Sequence, residues 1–153
     1  VKLRQGDEAP AFALRDADGK EWKLGDLKGG RVVIFFYPAD DTPGCTTQAC
    51  DFRDSMDAFR DAGYTILGIS PQDENSKRRF SDRYGLNFPL LADVGAKVAA
   101  AYGVTHNGGF YKGIPLKVRR STFVVDESGR IAKAMYGVKA KGHVAGLRES
   151  FGF

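Results

Sequence analysis

"RVVIFFYPADDTPGCTTQAC", residues 31–50, passes from an unbroken apolar run to the opening of a helix within a single turn. The run "RVVIFFY" (31–37) suits a central strand covered on both faces. Thr42 fits an N-cap and Pro43 the first helical position, where a missing N–H costs nothing, so the spacing predicts a helix from Pro43 to about Ala62. Outward from this unit the same alternation continues. "AFALRD" and "EWKL", joined by "ADGK", read as an N-terminal hairpin, and "YTILGIS" reads as the strand after the long helix. A helix over about 74–84, a short strand near "FPLLA" and a helix near 94–102 follow. Residues 103–119 hold five glycines or prolines and read as an irregular loop. "STFVVD", the turn "ESGR" and "IAKAMYG" form a second hairpin, ahead of a last helix over about 140–151. Strands alternating with helices and ending in an antiparallel hairpin predict a three-layer α/β domain around a central mixed sheet. Ligands in such folds gather where strands end and helices begin, which is where "PADDTPGC" falls.

A chain of 153 residues is long enough for one domain, read here as 1–153, with a core that needs no staples. Hydrophobic residues at 42% and charged residues at 27% are those of a soluble globular protein, and no apolar run is long enough to span a bilayer. The opening "VKLRQGDEAP" lacks the apolar core of a secretory signal. Two cysteines are too few for a disulfide scaffold, so a reducing cytoplasm is the expected compartment. The net charge of +4 includes a cluster at Lys77, Arg78 and Arg79, read as solvated surface, and a second at Lys117, Arg119 and Arg120.

Both cysteines lie in "TPGCTTQAC", residues 42–50. Cys45 falls in the first turn of the predicted helix, where unpaired backbone N–H groups and the positive end of the helix dipole favour an anion, and hence a thiolate nucleophile. Cys45 also opens a stripe with Ala49, Phe52, Met56 and Phe59 that points to the core, as an inert packed cysteine would. The two readings are compatible, because a first-turn residue can face inward and still line a pocket. In an ideal helix the Cα atoms of Cys45 and Cys50 lie about 8.7 Å apart, whereas a disulfide needs roughly 4.4 to 6.8 Å. Any bond between them therefore requires the first turns to unwind, and Gly44, Thr46 and Thr47 are weak helix formers that lower the cost. The other reading of Cys50 is a small, partly exposed residue without a role.

The run "FYPADDTPGCTTQAC" resembles the active-site segment of the peroxiredoxins, whose Pro-x-x-x-Thr-x-x-Cys pattern is met by Pro38, Thr42 and Cys45. A second cysteine five positions on resembles the bacterioferritin comigratory protein, or Q-type, branch. "GDEAPAFAL", "LGIS", "NFPLLAD" and "RSTFVVDESGRI" extend the likeness over nearly the whole chain. The resemblance implies a thioredoxin-like fold and a thiol-dependent peroxidase without a cofactor or metal. It implies that Cys45 is the peroxidatic cysteine and Cys50 the resolving one, joined in an intramolecular disulfide. Arg120, Thr42 and Pro38 match pocket residues, and the N–H groups of Gly44 and Cys45 would face the peroxide. The expected partners are a peroxide and thioredoxin or a related dithiol donor, with no nucleic acid and no membrane. A monomer is expected because the resolving thiol lies in the same chain and "RESFGF" offers no further cysteine. Ala39 departs from the many relatives with Lys at that position.

A general thiol-disulfide oxidoreductase is the nearest rival, but such enzymes usually carry C-x-x-C. Cys45, Cys50, His106 and His143 fit no familiar zinc spacing. No aromatic-basic platform accompanies the positive charge, as a nucleic-acid site would require.

Overall fold

A computed structural model describes residues 2–153. Its strands are β1 (Ala13–Asp16), β2 (Glu21–Lys23), β3 (Arg31–Phe36), β4 (Tyr64–Ser70), β5 (Leu90–Ala92), β6 (Phe110–Tyr111), β7 (Ile114–Pro115), β8 (Ser121–Val125) and β9 (Ile131–Tyr136). The helices are α1 (Pro43–Asp61), α2 (Glu74–Tyr84), α3 (Lys97–Ala101) and α4 (His143–Phe151). Seven strands form one mixed sheet in the order β2-β1-β5-β4-β3-β8-β9. The β3, β4 and β5 strands run parallel, while β8 lies antiparallel beside β3 and β1 antiparallel beside β5.

The continuous apolar run of β3 follows from its central place. Val33, Phe35 and, just beyond the strand, Tyr37 pack on one face with Phe52 and Phe59 of α1, Phe80 of α2 and Leu147 of α4. Val32, Ile34 and Phe36 pack on the other with Ala99 of α3, Tyr102 and Phe123. Helices α1, α2 and α4 thus cover one face, and α3 with Phe12, Leu24 and Tyr102 covers the other, which makes the three layers. The predicted α1 stripe is the buried one: Cys45, Ala49, Phe52, Met56 and Phe59 are each at most 3% exposed.

Several boundaries differ from the sequence reading, each for a local reason. The helix expected over 94–102 is confined to Lys97–Ala101, because Gly95 and Ala96 take left-handed conformations while the Asp93 carboxylate accepts the N–H groups of Val98 and Ala99. The last helix starts at His143 rather than 140, since Gly142 is left-handed at φ 79°. The segment expected to be irregular contains the β6–β7 hairpin, whose two turn residues Lys112 and Gly113 both have positive φ.

Candidate active site

The β3 strand ends at Phe36 and α1 begins at Pro43, so Pro38–Thr42 form the connection at one end of the sheet. The antiparallel register pairs Phe36 with Ser121. That register brings Arg120, the residue before β8, to the same end as this connection although it lies 75 positions beyond Cys45. The Val138 N–H bonds the Arg120 carbonyl at 2.9 Å and fixes its backbone.

Cys45 occupies the first turn of α1 and is 1% exposed. The Arg120 guanidinium spans two residues of that helix, donating from Nη2 to Cys45 Sγ at 3.3 Å and from Nη1 to Gln48 Oε1 at 2.6 Å. Gly44 allows this approach: a Cβ there would meet Arg120 Nη2 at 3.1 Å. The intrahelical bonding starts with Thr46 N–H to Thr42 O at 2.8 Å, so the N–H groups of Gly44 and Cys45 precede it at the positive end of the helix dipole. Sulfur, a fixed cation and these N–H groups therefore converge, which suits a reaction in which negative charge resides on sulfur and then leaves it.

Thr42 has the extended backbone of an N-cap, but its side chain does not cap α1. Its hydroxyl instead donates to the Ala39 carbonyl at 2.9 Å. This corrects the expected use of the side chain: its proton is committed to Ala39, so Oγ1 is left with lone pairs that can accept. Pro38 is half-buried, and its carbonyl accepts from Gln72 Nε2 at 3.2 Å. Cys50 is half-buried in the same continuous helix, and both cysteines are free thiols. Arg119 is exposed, as its place beside Arg120 predicts.

The structure adds residues that sequence reasoning passed over. Lys77, read as part of a solvated cluster, is completely buried and paired with Asp40 at 3.0 Å, while Arg78 and Arg79 are exposed. A signal was present, since Lys77 stands three residues before Phe80 on the apolar face of α2. Gln48 is buried beside Cys45, and its polarity makes sense only with Arg120 in place. His143 Nε2 lies 2.9 Å from Thr122 Oγ1. Burial, then Arg120 and Lys133, push the His143 imidazole below its ordinary value of 6.5. Among the described residues, no three His, Cys, Asp or Glu side chains come together as a metal site would need, and no helix is long and apolar enough to cross a membrane. A hollow of about 360 Å³ bordered by Glu8, Pro10, Leu24 and Val125 lies at the opposite end of β3 and β8 and contains no cysteine.

Comparison with known proteins places this geometry in context. The sequence signature of the AhpC/TSA family matches residues 5–134. Peroxiredoxin Bcp of Bacillus subtilis is 42% identical over 95% of this chain and 92% of its own. PrxQ of Xylella fastidiosa superposes with a TM-score of 0.89 at 28% identity, covering 99% of this chain and 96% of its own. The bacterioferritin comigratory protein of Xanthomonas campestris, whose structures address its alkyl peroxide reduction activity, gives 0.83 at 34% identity over 91% and 88%. The fold shared with these structures is thioredoxin-like, as the sequence motifs imply.

Proposed function

From the premise that the chain belongs to the AhpC/TSA family of peroxiredoxins, we propose that it reduces hydrogen peroxide and organic hydroperoxides through Cys45, with Cys50 as the resolving thiol. The observation that carries this reading is the Arg120 guanidinium at 3.3 Å from a buried sulfur in the first turn of α1. The alkyl peroxide reduction addressed for the Xanthomonas relative supports organic hydroperoxides among the substrates.

The Cys45 thiolate attacks one peroxide oxygen. An S–O bond forms, the O–O bond breaks, and hydroxide or alkoxide departs and takes up a proton. Sulfur is oxidised to a sulfenic acid as the peroxide is reduced. Arg120 stabilises charge at both ends of this transfer, the Gly44 and Cys45 N–H groups face the departing oxygen, and Thr42 Oγ1 orients the peroxide by accepting its O–H. Pro38 shields the pocket from water.

Resolution requires α1 to open. The oxidised sulfur no longer carries the negative charge that holds the guanidinium, so oxidation weakens the clasp between Arg120 and the first turn. Unwinding through Gly44, Thr46 and Thr47 then frees Cys45 to approach Cys50. The Cys50 thiol attacks the sulfenic sulfur, an S–S bond forms and water leaves. Thioredoxin or a related dithiol reduces this disulfide by exchange, aided by the partial exposure of Cys50. On this reading the chain works as a cytoplasmic monomer, a single domain across 1–153 that needs no cofactor.

Peroxide consumption driven by a dithiol donor, compared between the native chain and two variants, tests the reading. Cys45→Ser is expected to consume none. Cys50→Ser is expected to lose the Cys45 thiol as fast as the native chain, stop after one turnover with thioredoxin as donor, and gain further oxygen on sulfur. Undiminished turnover by Cys45→Ser refutes the assignment.

A further inference from the structure

We propose that helix α2 clamps the Pro38–Thr42 connection in its reactive geometry, and that Lys77, through its buried ion pair with Asp40, is the positioning residue for the peroxide reaction. This rests on the peroxidase reading above.

The connection contains no helix or strand, yet nearly every residue in it is tied down. Asp40 Oδ1 accepts from Tyr37 Oη at 2.6 Å and Lys77 Nζ at 3.1 Å, and Oδ2 accepts from Ser76 Oγ at 2.7 Å and Lys77 Nζ at 3.0 Å. The Asp40 N–H donates to Gln72 Oε1 at 3.0 Å, and the same Gln72 holds the Pro38 carbonyl. Ser70 joins this network through Lys77 Nζ and Gln72 Oε1. On the outer side, Arg83 Nη1 and Tyr84 Oη each donate to the Asp41 carboxylate at 2.7 Å, and Asp41 has φ 59°, in the left-handed region that is uncommon outside glycine. Ala39 is fastened in turn by the Thr42 hydroxyl.

The anchors on α2 are Ser76, Lys77, Arg83 and Tyr84, and with buried Phe80 they fall on one face of the helix over two turns. That face meets the connection. Arg83 is exposed, and a surface ion pair fixes little. Lys77 is different, with its side chain completely buried and that of Asp40 only 3% exposed. A buried pair of this kind rarely stabilises a fold more than apolar residues of the same volume would. What it provides here is direction: two oxygens of a side chain inside a loop accept four hydrogen bonds from three side chains, Tyr37, Ser76 and Lys77. The loop so fixed ends in Thr42, whose carbonyl accepts the first helical bond and whose hydroxyl is the group assigned above to the peroxide. Lys77 touches neither sulfur nor peroxide and acts through Asp40.

Lys77→Met in the full chain separates positioning from general damage through three readouts. The rate of Cys45 oxidation by hydrogen peroxide is expected to fall at least about tenfold, because small misplacements of reacting groups are costly. Alkylation of the same thiol by iodoacetamide, which needs no aligned peroxide, is expected to stay within about twofold of native. Amide exchange is expected to accelerate in the peptide spanning 38–46 and not in β3 or β4. An unchanged peroxide rate overturns the proposal, as does a parallel fall in both rates or unchanged exchange in that peptide. If Lys77→Met does not fold, Ser76→Ala removes a donor to Asp40 without stranding a charge. It is expected to give the same split at several-fold size, and native rates and exchange in it overturn the clamp. A native chain that does not react with peroxide removes the peroxidase reading instead, and exchange in the 38–46 peptide then decides the clamp alone.

Discussion

Replacing Arg120 by alanine removes two bonds of different kinds, and their separate consequences can be worked out. The bond from Nη2 to Cys45 Sγ is a hydrogen bond from a charged donor to the reacting sulfur. Such contacts contribute about 1.5 to 3 kcal/mol, which converts to roughly a tenfold to 150-fold change in rate at about 1.36 kcal/mol per factor of ten. Only the part that grows between the thiolate ground state and the transition state accelerates the reaction, so the expected loss lies toward the lower end, about tenfold or somewhat more. The bond from Nη1 leaves Gln48 Oε1 buried without its donor. That costs about 1 to 3 kcal/mol of stability, against a usual total of about 5 to 15, so the variant still folds. Arg120→Lys restores the charge but not the fork that serves Cys45 and Gln48 together, and its rate should fall between the two. The assay is rapid-quench oxidation by excess hydrogen peroxide, with the remaining Cys45 thiol counted by alkylation and intact mass. Arg120→Ala reacting within about twofold of the native chain, while folded, refutes the assigned role.

Gly44→Ala should slow peroxide attack several-fold while raising thermal stability slightly, since the new Cβ meets Arg120 Nη2 at 3.1 Å and alanine is the better helix former. Paired stopped-flow and thermal denaturation measurements check both signs. The His143 imidazole is depressed by burial and by neighbouring Arg120 and Lys133, so the unfolded chain binds its proton more readily than the native one. Its contribution to stability is therefore complete above about pH 6.5 and lost as pH falls below. Denaturant titrations from pH 7.5 to 5 should show a smaller loss for His143→Gln than for the native chain.

The sequence made the architecture legible where one physical signal dominated. The run 31–37 suited a strand covered on both faces, and the period of Cys45, Ala49, Phe52, Met56 and Phe59 marked the inward face of α1. Local side-chain choices were harder. Nothing in "DVGAKVAA" announces that Asp93 caps α3 across a left-handed turn, and Thr42 satisfies an N-cap pattern while its hydroxyl bonds backward to Ala39. Lys112-Gly113 marked a tight turn inside a stretch whose glycines suggested irregularity throughout. The site shows the same division. The local pattern around Cys45 was readable, whereas its meeting with Arg120 depends on the pairing of β3 with β8, a long-range register that one sequence reveals only through likeness to a family. Lys77 was misread because a run of three basic residues suggests a wet surface, although each residue on a helix faces its own direction.

If a sulfur held by Arg120 at the start of α1 is oxidised and then joins Cys50 after that helix opens, peroxide must leave a bridge inside one chain. Intact mass and peptide mapping of the chain before and after one equivalent of hydrogen peroxide measure this directly. The expected result is loss of two hydrogens, loss of both free thiols and a peptide bridged between Cys45 and Cys50 within one chain. Two thiols left intact, or a bridge found only between separate chains, contradicts it.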